Sequence, residues 1–259
     1  MKKIYFLLLF PLLLFANIEV VTYFPLESNI LRKITYNEIN IKEITSIYSK
    51  EQKNLSNKEL SKFSNAQLYI HFGLDEEKRC FNLLKSKNPK IIEVDLSLNI
   101  EKIDNNPYIW TDPLIMRDIA KNIYEILLKY DENKKDLYKK NYEAFLDEID
   151  DTFLKIKQKL NSCNTNVVYA MDDYWDYFAR RFGISIIKKD KSIVNISDLS
   201  ELLKFTRNSN IRKILFIDSV NKNIELSFAS NLNIKAIESN IFQNNWQSIL
   251  IELTNNIIK

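Results

Sequence analysis

The chain alternates between short β-branched or aromatic runs and segments in which apolar residues recur every three or four positions. The short runs are typical of strands, and the longer segments are typical of amphipathic helices. Before residue 100 the predicted strands are Ile18 to Phe24, Ile41 to Tyr48, Gln67 to Phe72 and Lys90 to Leu96. The predicted helices are Leu26 to Ile34, Ser56 to Asn65 and Asp75 to Ser86, and Ser56 with Glu59 forms a capping box. This alternation predicts an α/β lobe with a mostly parallel sheet.

The same alternation returns after residue 166 and predicts a second α/β lobe. Its predicted strands are Val167 to Met171, Ile184 to Lys188, Lys213 to Asp218 and Ile234 to Glu238. Its helices are expected near residues 173–182, 197–207, 222–231 and 244–258.

Strong helical periodicity fills the segment between the two lobes. Asp112 is placed to cap the first helix there, and Pro113 opens it. The second helix carries an apolar stripe of Tyr138, Tyr142, Phe145, Ile149, Phe153, Ile156 and Leu160. We interpret the stripe as the packing face of a stiff strut, with a coiled-coil dimer as the alternative. The predicted architecture is two α/β lobes joined by a long rigid linking helix, with lobes at 17–112 and 165–259 and linking helices at 113–164.

The first sixteen residues have the pattern of a secretory signal peptide. Lys2 and Lys3 precede an apolar run from Ile4 to Phe15, which is shorter than the roughly 20 residues that span a bilayer. Cleavage is expected after Ala16, with an uncleaved anchor as the alternative. No cysteine follows the run directly, so a lipoprotein is not expected.

Composition excludes several kinds of chemistry. The 259 residues include 2 glycines, 1 histidine and 2 cysteines, so Gly-rich phosphate loops, multi-histidine zinc sites and four-cysteine zinc sites are not available. The net charge of +3 gives no electrostatic case for nucleic acid binding. Export would permit a disulfide between Cys80 and Cys163, but the helical segments between them favour two idle thiols.

Three motifs converge on one family. The run Asn106-Pro-Tyr-Ile-Trp-Thr-Asp-Pro-Leu114 resembles the central signature of the zinc/manganese-type solute-binding proteins of ABC transporters, the ZnuA/TroA-like family. The run Asp172-Asp-Tyr-Trp-Asp-Tyr-Phe-Ala-Arg-Arg-Phe-Gly-Ile184 and, more loosely, the segment from Leu60 to Leu74 are similar to two further family motifs in the same order. Gly73 and Gly183 both fall on family glycine positions.

The resemblance implies a periplasmic, bilobed binding protein that is not an enzyme, acts as a monomer and holds a divalent metal ion in its cleft. Zinc, manganese or iron is the expected ion, and a membrane permease is the expected partner. Carried over by position, the metal ligands fall on Tyr108, Asp172 and Glu238, with Glu51 the nearest residue to the first ligand. His71, at the end of a predicted strand, is a further candidate because such sheets bind ligands at strand carboxyl ends.

Each candidate residue also has a structural interpretation. His71 could be a hydrogen-bonded rim residue, Tyr108 a packed aromatic, Asp172 a helix cap and Glu51 a solvated charge. Oxygen ligands from these positions would suit manganese or iron better than zinc.

Other functional interpretations stay open. A degenerate family member could bind a chelate, another small ligand or a partner protein, and a surface adhesin is possible. A carboxylate-based hydrolase could use the acidic residues Asp172, Asp173, Asp176 and Glu238.

Overall fold

A computed structural model gives the structure of the chain. It describes residues 18–46, 55–162, 167–170, 172–188, 204, 206–208, 211–217 and 222–258. The predicted signal peptide (1–16), Glu51, Cys163 and most of the helix expected near 197–207 lie outside these residues. The disulfide and cleavage predictions therefore stay predictions. No helix in the described ranges is long and apolar enough to cross a membrane.

The N-terminal lobe is a parallel sheet with helices on its connections. Its strands run in the order β2–β1–β3–β4, and every neighbouring pair is parallel. The strands are β1 (Glu19–Thr22), β2 (Asn40–Glu43), β3 (Leu68–His71) and β4 (Ile92–Asp95). The helices are α1 (Pro25–Thr35), α2 (Asn57–Ser61) and α3 (Asp75–Lys87).

The linking region begins with a 3₁₀ turn, Ile109–Thr111, and continues into two long helices, α4 (Pro113–Tyr130) and α5 (Lys135–Asn161). The predicted cap of α4 is confirmed, because Asp112 Oδ1 accepts a hydrogen bond of 2.8 Å from the backbone N–H of Leu114. The capping box of Ser56 and Glu59 at the start of α2 is confirmed as well.

The C-terminal lobe repeats the parallel arrangement with the strand order β6–β5–β7–β8. The strands are β5 (Val167–Ala170), β6 (Ser185–Lys188), β7 (Lys213–Phe216) and β8 (Lys235–Glu238). The described helices are α6 (Asp176–Phe182), α7 (Lys222–Leu232) and α8 (Trp246–Ile258). The predicted fold class, two α/β lobes with parallel sheets joined by a long helix, is confirmed. We propose the domain boundaries as drawn from the sequence.

Most predicted elements differ from the structure by one or two residues at an end, and three differ by more. β2 stops at Glu43, because the chain bends at Ile44. α2 is a helix of 5 residues, shorter than the predicted span. α6 begins at Asp176 because the preceding residues form a turn.

One continuous apolar core runs through both lobes and the linking helices. The α5 stripe packs within the chain against α1, α4 and α8, and Tyr138, Phe145 and Ile149 are fully buried or nearly so. The packing interpretation of the stripe is therefore confirmed for these residues. The core positions expected for Trp110 and Trp175 are confirmed too, since they are 1% and 2% exposed.

Two glycines occupy backbone conformations that favour this residue. Gly73 has φ +88°, and a Cβ there would lie 3.0 Å from a carboxylate oxygen of Asp95. Gly183 has φ +67° and ends α6 in the left-handed conformation.

Truncation of Ile149 to alanine should destabilise the protein by about 2–5 kcal/mol, because the side chain is fully buried between the linking helix and the lobes. The matched control is Leu154→Ala on the same helix, where the side chain is 59% exposed and the expected change is within about 0.5 kcal/mol. Denaturant unfolding measures both variants. Equal losses in both would contradict a core that passes through α5.

Candidate functional site

The residues that follow the strands of both sheets meet in a cleft between the lobes. Aromatic rings form its floor, and their centroids lie 4.5–6.2 Å apart in neighbouring pairs; the rings belong to Phe24, Phe72, Tyr108, Trp110, Tyr174 and Phe242. Phe24 and Phe72 follow β1 and β3, whereas Tyr174 and Phe242 follow β5 and β8. The floor therefore joins the carboxyl ends of strands from both sheets, which is where parallel sheets place ligand sites.

The segment that carries Tyr108 is fixed by hydrogen bonds to the C-terminal lobe. Asn106 Nδ2 donates to the carbonyl oxygen of Asp173 at 2.6 Å, and the Tyr177 hydroxyl donates to the carbonyl oxygen of Asn106 at 2.7 Å. At the other end, Arg181 Nε lies 2.8 and 2.9 Å from the two carboxylate oxygens of buried Asp112. Tyr108 is therefore presented to the cleft on a rigid support.

Tyr108 and Tyr174 form a close pair at the centre of the cleft. Their ring centroids are 4.5 Å apart and their side chains are hydrogen-bonded. Burial raises the pKa of Tyr108, and the negative charge of Glu76 raises it further. Burial also raises the pKa of Tyr174, and smaller increases come from Tyr108 and from the charge of Asp172. Both phenols therefore keep their protons at neutral pH, and the charges of Glu76 and Asp172 act on both of them.

Asp172 is half-buried in the turn after β5, so the structure places it beside the tyrosine pair. Glu238 is the last residue of β8 and is exposed. Since β7 lies between β5 and β8, the two strand ends are about 10 Å apart. Among the described residues, no group of three or more histidine, cysteine, aspartate or glutamate side chains is close enough to hold a metal ion.

Asp173 and Asp176 are engaged by a lysine. Lys188 Nζ lies 2.9 Å from Asp173 Oδ1 and 2.6 Å from an oxygen of Asp176. Burial alone would lower the pKa of Lys188, but hydrogen bonds and charge from both aspartates raise it. The two aspartates therefore form an ion-pair network with Lys188.

His71 lies inside the N-terminal lobe. Its side chain is fully buried, Nε2 is 3.1 Å from Glu93 Oε1, and Nδ1 accepts a 2.9 Å hydrogen bond from the backbone N–H of Gly73. Both ring nitrogens are thus used by neighbouring residues. These contacts give no support to a metal-ligand role, so we leave His71 out of the proposed donor set.

Glu76 is the residue of the cleft that sequence reasoning missed. It is 7% exposed and lies in the first turn of α3, from where its charge acts on both tyrosines. Three consecutive acids open this helix, and such acids are ordinarily explained by the helix dipole. Burial separates Glu76 from exposed Asp75, and its action on the tyrosines separates it from Glu77, which binds backbone N–H groups at the start of its own helix.

Comparisons with known proteins show the family and the fold of the chain. A protein of Chlamydia muridarum, provisionally named as metal-binding, is 21% identical over 193 residues, which are 70% of this chain and 68% of that protein. The zinc-binding protein TroA of Treponema pallidum is 24% identical over 180 residues, and the match spans 62% of this chain and 57% of TroA. The crystal structure of a ZnuA deletion mutant with zinc bound superposes with a TM-score of 0.83 at 19% identity, covering 94% of this chain and 97% of that one.

Residues 20–259 match the family described as "Zinc-uptake complex component A periplasmic". The match covers nearly the whole chain and confirms the resemblance drawn from the motifs around Tyr108, Asp172 and Gly73. The chain belongs to this ZnuA family, which is a family of periplasmic binding components and not of enzymes.

Proposed function

We propose that this protein captures a divalent metal ion in the cleft between its lobes and delivers it to the membrane permease of an ABC transporter. The observation that supports the proposal is the position of two acids beside a tyrosine pair, at the strand ends of both lobes. Negative charge from Asp172 and Glu76 surrounds a pair of protonated tyrosines where strands of both sheets end. A cleft of one sign of charge with low-dielectric walls concentrates ions of the opposite sign.

The proposed donors are oxygen atoms. They come from Asp172, Tyr108 and Glu238, together with Glu51 from the segment that precedes α2. Carboxylate and hydroxyl oxygens are hard ligands that suit manganese and iron better than zinc. The zinc named for TroA and for the ZnuA structure makes zinc the reference metal against which the other two are compared.

Export and delivery follow from the same proposal. The periplasmic description of the family supports export. In our proposal, residues 1–16 are the signal peptide, cleavage follows Ala16, and no lipid anchor is attached. The chain buries the α5 stripe internally, which supports action as a monomer. The permease would then bind the metal-loaded protein at the surfaces of its lobes.

Metal binding should raise the melting temperature of the purified, metal-stripped protein. A ligand that binds only the folded state at 100 times its Kd stabilises by about 2.7 kcal/mol, or roughly 5–10 °C for a chain of this size. Thermal unfolding with Mn²⁺, Fe²⁺ and Zn²⁺ in turn measures the shift, and elemental analysis of the protein as isolated identifies the ion. No shift with any of the three would rule out the metal-carrier function and favour a family member that binds another ligand or a partner protein.

Replacement of Asp172 by alanine should weaken binding of the responding metal by about tenfold or more, because a ligand carboxylate is lost. The control is Asp118→Ala, which removes an exposed carboxylate from α4 and should leave the affinity unchanged. Isothermal titration measures both variants, and their melting temperatures without metal verify that both are folded. An unchanged affinity in the Asp172 variant would remove this residue from the site.

Delivery is tested in cells that lack the gene for this protein. Uptake of the labelled metal should fall in those cells, the wild-type gene should restore it, and the Asp172→Ala gene should not. Uptake that does not depend on the gene would overturn the transport step while leaving the binding result intact.

A further inference from the structure

Two glutamates occupy equivalent positions in the N-terminal lobe. Glu27 is the third residue of α1 and Glu77 is the third residue of α3. Glu27 Oε2 accepts backbone N–H bonds from Tyr23 at 2.6 Å and Phe24 at 3.2 Å. Glu77 Oε2 accepts them from Phe72 at 3.1 Å and Leu74 at 2.7 Å. Each glutamate thus closes the turn between a strand and the helix that follows it.

The second oxygen of each glutamate has no such partner. Both side chains are fully buried, and the Oε1 atoms of Glu27 and Glu77 are buried without a hydrogen bond. The two carboxyl groups nevertheless lie in hydrogen-bonding contact with each other. Two ionised carboxylates only accept, so neither oxygen could satisfy the other, and both would keep the full cost of desolvation.

The surroundings offer little positive charge to offset two buried carboxylates. In the described parts of the chain, no lysine or arginine nitrogen lies within 4.0 Å of either group, and the nearest basic atom is His71 Nδ1, 3.7 Å from Glu77 Oε2. The backbone N–H of Gly73 donates to the same nitrogen at 2.9 Å. Burial raises the pKa of Tyr69, and Cys80, Glu77, Glu27 and Tyr23 raise it further, so these titratable groups lie near one another; Glu93 and Asp95 of β4 act on His71.

We propose that Glu27 and Glu77 share a single proton, so that a carboxylic acid donates to a carboxylate and ties the β1–α1 turn to the β3–α3 turn. The remaining negative charge is stabilised by backbone N–H groups at the amino ends of two helices. The proton supplies the hydrogen bond that both Oε1 atoms otherwise lack. This inference does not depend on the proposed metal-binding function.

The pair makes stability depend on pH in a defined direction. Burial raises the pKa of Glu27 well above its ordinary value of 4.5, and the charge of Glu77 raises it further. The folded chain therefore holds this proton more tightly than the unfolded chain does. The resulting stability is complete below pH 4.5 and is lost as the pH rises through the raised pKa.

His71 could produce a similar dependence. Burial lowers the pKa of His71, but hydrogen bonding and charge from Glu77, with Asp95 and Glu93, raise it overall from 6.5. Stability due to its proton would also be lost as the pH rises. The pH profile of the wild type alone does not separate the two groups, but variants do.

The test compares Glu27→Gln, Glu77→Gln and the double variant. In either single variant the amide oxygen still accepts the backbone N–H bonds and the amide N–H₂ donates to the remaining carboxylate. Each should therefore melt near the wild type at pH 7 and lose less stability at alkaline pH. In the double variant two N–H₂ groups face each other without an acceptor. It should melt below either single variant by roughly 3–10 °C.

Infrared spectroscopy counts the proton directly. The wild type should show a neutral carboxylic acid band at pH 7 that is absent from both single variants. A double variant as stable as the singles, or no such band in the wild type, would overturn the proposal. The His71→Asn control should retain the band. If the loss of stability at alkaline pH persists in Glu27→Gln but disappears in His71→Asn, the pH dependence belongs to the histidine and not to the glutamate pair.

Discussion

Trp110 joins the two lobes, and the geometry of the cleft depends on it. Its indole Nε1 donates to the carbonyl oxygen of Ile241 at 3.0 Å, and its own carbonyl oxygen accepts from Trp246 Nε1 at 2.6 Å. The side chain is 1% exposed, and its ring centroid lies 4.5 Å from that of Phe72 in the N-terminal lobe. Because these contacts are buried and directional, the lobes cannot separate at this point without breaking two hydrogen bonds and opening the core. The strand ends of both sheets are therefore held facing each other.

The fold could be predicted because its signals are local. A Ser56–Glu59 box or an Asp112–Pro113 pair satisfies the first N–H groups of a helix with residues a few positions away, so the sequence contains the whole interaction. The end of a strand is less visible in the sequence. β2 ends at Glu43 and the chain bends at Ile44, although Ile44 N–H still donates to the carbonyl oxygen of Thr22; the apolar run that continues beyond Glu43 does not reveal this bend.

The site was harder to predict because it depends on direction and burial. His71 does end a strand, as expected, but its ring contacts Glu93 on the neighbouring strand and Gly73 in the following turn. Glu76 and Glu77 are adjacent in sequence, yet one acts on the tyrosines of the cleft while the other holds the backbone of its own helix. No periodicity separates these roles, because the helix opens with three acids that all suit its dipole.

The buried and half-buried acids of this protein differ in the groups that they contact, and this difference determines the electrostatics of the cleft. Asp112 is balanced by Arg181, and Asp176 by Lys188. Glu27 and Glu77 share backbone N–H groups and, in our proposal, a proton. Asp172 and Glu76 instead act on protonated phenols, whose pKa they raise. The charges of these two acids thus act on the tyrosine pair at the strand ends, which is where we propose that a cation binds. Because both ring nitrogens of His71 are engaged inside the lobe, the proposed selection among cations rests on the size and number of oxygen donors instead of on imidazole affinity.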